Sequence, residues 1–177
     1  MYADLHLHTH YSDGTYTPEE LAERGREHGI KVMALTDHDT IDGCKQMAVA
    51  CDDRNIEFIS GCEFTVELEG FELHLLGYFL DLQCARLIEE LEKYQAVRQN
   101  RIHEMVEKLN ELGVAITDGD VMKIANCDSP GRPHIGRALV ALGHCGSLDE
   151  AFRKWLKKGK PAWVPKAKLT ATEAIGL

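Results

Sequence analysis

An α/β fold is predicted for this 177-residue chain by three observations. Two compact apolar runs, at residues 31–36 and 56–62, have the length of buried strands. An alternating segment opens the chain, and the stretches between these runs carry helical periodicity. Strand, helix, strand, helix, strand within roughly 60 residues points to parallel pairing with right-handed crossovers.

The opening segment sets Tyr2, Asp4, His6 and His8 on one side and Ala3, Leu5 and Leu7 on the other, the period of a strand with a polar face. Ser12-Asp13-Gly14 supplies a turn. Thr17-Pro18-Glu19-Glu20 combines an N-cap, a proline at the first helical position and first-turn acids, which opens a helix to about His28, stopped by Gly29. A second helix is expected over 41–55, beginning near Asp42. After the strand at 56–62, residues 64–68 and 71–79, separated by Glu69-Gly70, read as a hairpin.

The rhythm changes after Asp81. Residues 84–112 form a long amphipathic pattern ended by Gly113, followed by shorter helical patterns at about 118–126, 133–142 and 148–158. Residues 161–165, Pro-Ala-Trp-Val-Pro, resume a strand-like path, and Thr170-Ala171-Thr172-Glu173 opens a helix with a capping box that is still incomplete at Leu177. The expected organisation is an α/β segment at 1–82, a helical insertion at 83–158 and a return to the first fold at 159–177.

A hydrophobic fraction of 44% with 28% charged residues excludes a disordered or fibrous class. Twenty Lys and Arg against 29 Asp and Glu leave a formal charge of -9. That balance opposes a broad nucleic-acid face but not small phosphorylated substrates, because bound cations invert the local field. Six cysteines contain no C-x-x-C pair and are expected to be reduced thiols. No basic segment with an apolar core opens the chain, and no apolar run approaches about 18 residues, so a cytoplasmic protein with no membrane partner is expected.

His6-Leu7-His8 alone is a weak signal in a chain with nine histidines. Residues two apart in a strand share a face, so the two imidazoles can converge on one cation or stand as a surface pair on an edge strand. Context adds weight to the first reading. Thr36-Asp37-His38-Asp39 and Gly61-Cys62-Glu63 place ligand-type residues at the C-terminal ends of the second and third strands, where parallel α/β folds build their sites. His74, on the hairpin strand, can reach the same centre or simply satisfy a polar neighbour. His10, His28, His103 and His144 are assigned no function.

Together, Asp4-Leu5-His6-Leu7-His8-Thr9, Ser12-Asp13-Gly14, Thr36-Asp37-His38-Asp39, Gly61-Cys62-Glu63 and His74 form a pattern that resembles the polymerase-and-histidinol-phosphatase (PHP) family of metal-dependent phosphoesterases. The resemblance continues through residues 131–139 and 159–165, in the manner of the subgroup that cleaves nucleoside phosphates. It implies the N-terminal part of a distorted (β/α)7 TIM-like barrel with an α-helical insertion. It also implies that His6, His8, Asp13, His38, Glu63 and His74 are catalytic metal ligands for two or three divalent ions, with Glu63 bridging. Manganese is the first choice, with iron or zinc next, since mixed imidazole and carboxylate ligands suit all three.

The activity so implied is hydrolysis of small phosphorylated substrates by a metal-bound hydroxide, with nucleoside 3',5'-bisphosphates or short RNA 5' ends as the expected substrates. A histidinol-phosphate-type phosphatase and a truncated, non-catalytic metal-binding or assembly module are the alternatives. Arg98, Arg101, Arg132 and His134 are the implied substrate-phosphate residues. For Arg98 and Arg101, salt bridging to Glu on a long helix is the competing explanation. Family members continue for ~100 residues that close the barrel. An open barrel edge here is therefore expected to favour self-association.

Overall fold

The computed structural model describes residues 2–69, 71–166 and 169–177. It divides into two compact units, one of Met1–Tyr94 with Lys168–Leu177 and one of Gln95–Ala167.

The first unit is built on a sheet whose strands run in the order β1 (Tyr2–Leu7), β2 (Ile30–Leu35), β3 (Glu57–Leu68) and β4 (Phe71–Tyr78). β1, β2 and β3 are parallel, joined through α1 (Pro18–Glu27) and α2 (Cys44–Asp52), as the alternation of patterns predicts. Thr17 caps α1 with the expected reciprocal box: the Glu20 N–H donates to its hydroxyl and the Thr17 N–H donates to the Glu20 carboxylate. α1 and α2 cover the sheet with Leu21, Ala22, Met47, Ala50 and Cys51, packed on Met33 and Leu35 of β2.

β3 is longer than either apolar run within it, because the expected strands at 56–62 and 64–68 are one continuous strand of 12 residues. Its first part pairs parallel with β2, Val32 opposite Glu57 through Leu35 opposite Ser60. Its second part pairs antiparallel with β4, Gly61 opposite Tyr78 through Leu68 opposite Phe71. Glu69 of the expected Glu69-Gly70 turn has φ 51°, whereas Gly70 lies outside the described residues. Gly61 sits where the chain changes partner, and a Cβ there would lie 2.8 Å from Leu35 O and 2.9 Å from Gly77 O. β5 (Leu169–Thr170) adds a short parallel pairing at Val66 and Glu67, on the edge opposite β4, and leads into α7 (Ala171–Ile175) with the capping box read at Thr170 and Glu173. Among the described residues β1 pairs with β2 alone, and Tyr2 and Leu5 are exposed on it.

The long helix α3 (Ala85–Glu111) contributes Leu87 and Leu91 to the first unit. From Gln95 onward it belongs to the second unit, where Ile102, Met105, Val106 and Leu109 form a stripe at helical spacing. α4 (Asp118–Ala125), α5 (Arg132–Ala141) and α6 (Leu148–Ala151) complete that core with Val121, Ile135, Leu139 and Ala151.

Two expectations for this region are corrected. The helix expected over 148–158 is α6 followed by a π-helical segment, Phe152–Leu156. Residues 161–165 join no sheet ladder: the Ala162 N–H donates to Trp155 O and the Trp163 N–H to Lys160 O, closing a turn. Pro161 and Pro165 have no N–H to give a ladder, which the apolar content of the run conceals.

Met47 is fully buried between α2 and the sheet, whereas Val49, two residues on, is 64% exposed. Met47→Ala is expected to cost about 2–5 kcal/mol of stability and Val49→Ala less than about 0.5 kcal/mol, measured by urea denaturation. Equal costs would overturn this packing.

Candidate metal centre

Glu63 is placed by backbone pairing on both edges of β3. Its N–H donates to Asp37 O at 3.1 Å, its carbonyl accepts from the Asp39 N–H at 3.1 Å, and Leu76 of β4 lies opposite. The segment after β2 thus continues the parallel ladder past the end of the strand, with His38 directly opposite Glu63. At Asp39 the chain turns away with φ 50°. The Asp39 carboxylate then accepts the next ladder donor, the Thr65 N–H, at 2.9 Å, where a backbone carbonyl would otherwise stand.

The Glu63 side chain is 3% exposed and lies among imidazoles. His6 Nε2 is 2.8 Å and His8 Nε2 3.0 Å from Oε2, while His74 Nδ1 is 2.5 Å from Oε1. His38 Nδ1 lies 3.7 Å from Oε2. The opposite nitrogens of His8 and His38 face Asp13, each at 3.7 Å. All six residues read from the sequence as ligands therefore come together in the first unit.

Their charges are mutually adjusted. Burial alone would raise the Glu63 carboxyl, but hydrogen bonds with His74 and His8, the charge of His38 and the hydrogen bond with His6 hold it far below the usual carboxylate range. Burial would lower the His8 imidazole, yet the Glu63 hydrogen bond and the charges of Asp13, Glu63 and Asp37 leave it above 6.5. Tyr78, whose hydroxyl donates to Leu5 O at 2.8 Å, is raised by burial and by the charge of Glu63.

Three overlapping trios offer ligand atoms within 4.8 Å of one another: His6, His8 and Glu63; His8, Asp13 and His38; His38, Glu63 and His74. A neutral imidazole has one lone pair to give, whereas a carboxylate has two oxygens, so Glu63 is the member suited to serve two ions at once. Four nitrogen and two carboxylate donors fit borderline divalent ions better than Ca2+ or Mg2+, which take oxygen cages.

Several residues that build the site were not assigned from the sequence. Thr9, Ser12 and Asp37 are buried together, and Asp39 is buried against Thr65. Asp37 and Asp39 stand in the motif that yielded His38, and their position directly after a buried strand was the available signal. Gly14 closes the turn that carries Asp13 against the backbone of His8, and a Cβ there would overlap the His8 carbonyl.

The four residues expected to hold substrate phosphate all belong to the second unit. Arg98 is buried and donates to Pro130 O at 3.4 Å; Arg101 donates through Nε to Val164 O at 2.9 Å. Arg132 stands 6.0 Å from the Phe152 ring centre. His134 is buried, and its Nδ1 accepts the Gly131 N–H at 3.0 Å, which caps α5. Arg101 and Lys166 line one cleft of ≈ 390 Å³ with Asn100, Glu104 and Pro165.

Comparison with known proteins adds to this geometry. Residues 4–97 match the PHP domain. A 5'-3' exoribonuclease of Haemophilus influenzae is 34% identical over 91% of this chain and 58% of its own length. A 3',5'-nucleoside bisphosphate phosphatase of Chromobacterium violaceum is 32% identical over 98% of this chain and 61% of its own. The chain thus spans about three fifths of the length of these relatives. A solved structure from Bifidobacterium adolescentis, described as a metal-dependent phosphoesterase, superimposes with a TM-score of 0.92 at 30% identity, over 98% of this chain and 61% of that one. These likenesses bear out the expected α/β fold as part of a TIM-like barrel.

Because the His8 pKa is raised, protonation of His8 stabilises the metal-free protein; this contribution is complete below pH 6.5 and is lost as pH rises through the folded value. Glu63→Gln is expected to lower the His8 titration midpoint, followed by NMR of the imidazole protons. An unchanged midpoint would show that Glu63 is not its cause.

Proposed function

The chain belongs to the PHP domain family, and on that premise we propose that it carries a major part of a phosphoesterase site that works with two or three divalent ions. The observation that carries the reading is the set of three ligand trios sharing Glu63, His8 and His38. His6, His8, Asp13, His38, Glu63 and His74 would hold the ions, with Glu63 as the shared carboxylate. The ions would supply Lewis-acid chemistry, acidifying water and offsetting charge on phosphoryl oxygens. Manganese is the first choice and iron or zinc the next, on the mixed nitrogen and oxygen donors.

The protein's own groups have separable tasks in this reading. Burial of Glu63 keeps its ligand oxygens fixed, and imidazoles from β1, β4 and the segment after β2 surround it from different elements. Residues 83–158 act as an insertion that supplies cations for substrate phosphate. Arg101 has the strongest claim there, since it lines a cleft beside Lys166. Arg132 follows, while the backbone partners of Arg98, Arg101 and His134 give those three a structural task as well.

The substrates proposed are nucleoside 3',5'-bisphosphates or the 5' ends of short RNAs, in keeping with the two curated relatives. The net charge of -9 favours the small molecule over a long polyanion. No described helix is long and apolar enough to cross a membrane. Among the described residues β1 pairs with β2 alone, and self-association through its other edge is part of the proposal, for which a strictly monomeric mass by light scattering would be contrary.

Manganese loading followed by desalting and elemental mass spectrometry is expected to return two or three ions per chain. Hydrolysis of a nucleoside 3',5'-bisphosphate is expected to exceed that of histidinol phosphate, and His8→Ala to reduce it by more than about 100-fold, since removal of an outer partner alone costs 10–100-fold. Bound metal without turnover by the chain would instead favour the non-catalytic module.

A further inference from the structure

His38 stands between two aspartates that belong to none of the three ligand trios. Both are almost fully buried, and their carboxylates serve different elements. Asp39 accepts from the backbone and hydroxyl of Thr65 on β3, at 2.9 and 3.1 Å. Asp37 accepts from the Thr9 N–H at 2.8 Å, the Thr9 hydroxyl at 2.5 Å and the Ser12 hydroxyl at 2.5 Å. All three of these donors lie on the short stretch that separates His8 from Asp13.

That stretch is otherwise a loop. Its own backbone hydrogen bonds are local, Ser12 N–H to Thr9 O at 3.1 Å and His10 N–H to Tyr16 O at 3.0 Å. Asp13 reaches His8 and His38 only if the loop returns to the mouth of the sheet at one height and one angle. A buried carboxylate with three donors is well suited to fix both, because charge-assisted hydrogen bonds are short and an unmatched buried carboxylate is costly. Asp37 is itself fixed, since its carbonyl accepts the Glu63 N–H. Gly43 leaves space beside it, where a Cβ would lie 3.3 Å from Asp37 Oδ2.

We propose that Asp37 is a positioning residue that acts through Thr9 and Ser12 to hold Asp13 in register with His8 and His38. The proposal rests on the reading of the site as a metal centre. It divides the centre into two parts with different supports. Around Glu63, His6 and His74 stand on strands, His8 directly follows β1 and His38 lies on the ladder that continues β2; Asp13 stands on a loop whose geometry is delegated to Asp37. Loss of the Asp37 carboxylate should therefore affect one part of the centre and spare the other.

The test uses Asp37→Asn in the full chain, with Thr9→Val/Ser12→Ala as a second variant that keeps the carboxylate and removes two of its donors. In metal-free protein, amide exchange by mass spectrometry is expected to accelerate roughly 10-fold or more over residues 9–14 and to stay unchanged over 57–68 in both variants. In Mn2+ titrations one class of site is expected to weaken by about 10- to 100-fold while another stays within about twofold. Unchanged exchange over 9–14 in both variants would overturn the proposal, as would equal losses over 57–68 and at every Mn2+ site, which would mark a general structural role. Wild-type protein that takes up no Mn2+ would overturn the metal reading, and the exchange measurement would still decide the positioning role.

Discussion

The carboxylate of Glu63 is buried at the point where one strand changes partners, and a buried negative charge is tolerated only where other groups answer it. Here the answer comes from imidazoles on three separate elements, His6 and His8 at the end of β1, His38 opposite on the continued β2 ladder, and His74 on β4. The backbone of Glu63 is simultaneously held by Asp37 and Asp39 on one edge and faces Leu76 on the other. Position and charge are thus settled by the same few residues. A shift of β3 by one residue would turn the carboxylate to the opposite face of the sheet and leave the histidines facing one another.

This dependence explains why polar residues occur where the pattern of the chain calls for apolar ones. Thr9, Ser12, Thr36, Asp37, Asp39 and Thr65 are all buried at or near the C-terminal ends of the strands. They replace ladder and loop hydrogen bonds that regular structure cannot supply where strands stop. Burial pushes the Asp37 carboxyl up, while the hydrogen bonds from Ser12 and Thr9 and the charge of His8 oppose that rise. Apolar packing is left to the face covered by α1 and α2, where Met33, Leu35, Met47 and Leu21 meet.

Strands β1 to β4 were legible in the sequence from short-range rules, as were five of the six candidate ligands, whereas Asp13 entered only through the family resemblance. Apolar runs of strand length mark β2 and β3, alternation marks β1, and the ligand types fall where those runs end. What the sequence conceals depends on distant partners. β5 is only two residues long and exists because Val66 and Glu67 offer it an edge. The π-helical segment at Phe152–Leu156 follows a helix too short to have its own periodicity. Arg98 and His134 bear the residue types of phosphate ligands, but their backbone partners, Pro130 and Gly131, become visible only once the second unit is folded.

At Gly14 the turn lies so close to the His8 carbonyl that there is no volume for a side chain. Nothing about glycine's chemistry is used there: it binds no ion, donates no charge and buries no apolar surface. What the position contributes to the centre is the absence of an atom. An inert methyl group at residue 14 would therefore disturb His8 and Asp13 from a place where no chemical reading of the site would look for the damage.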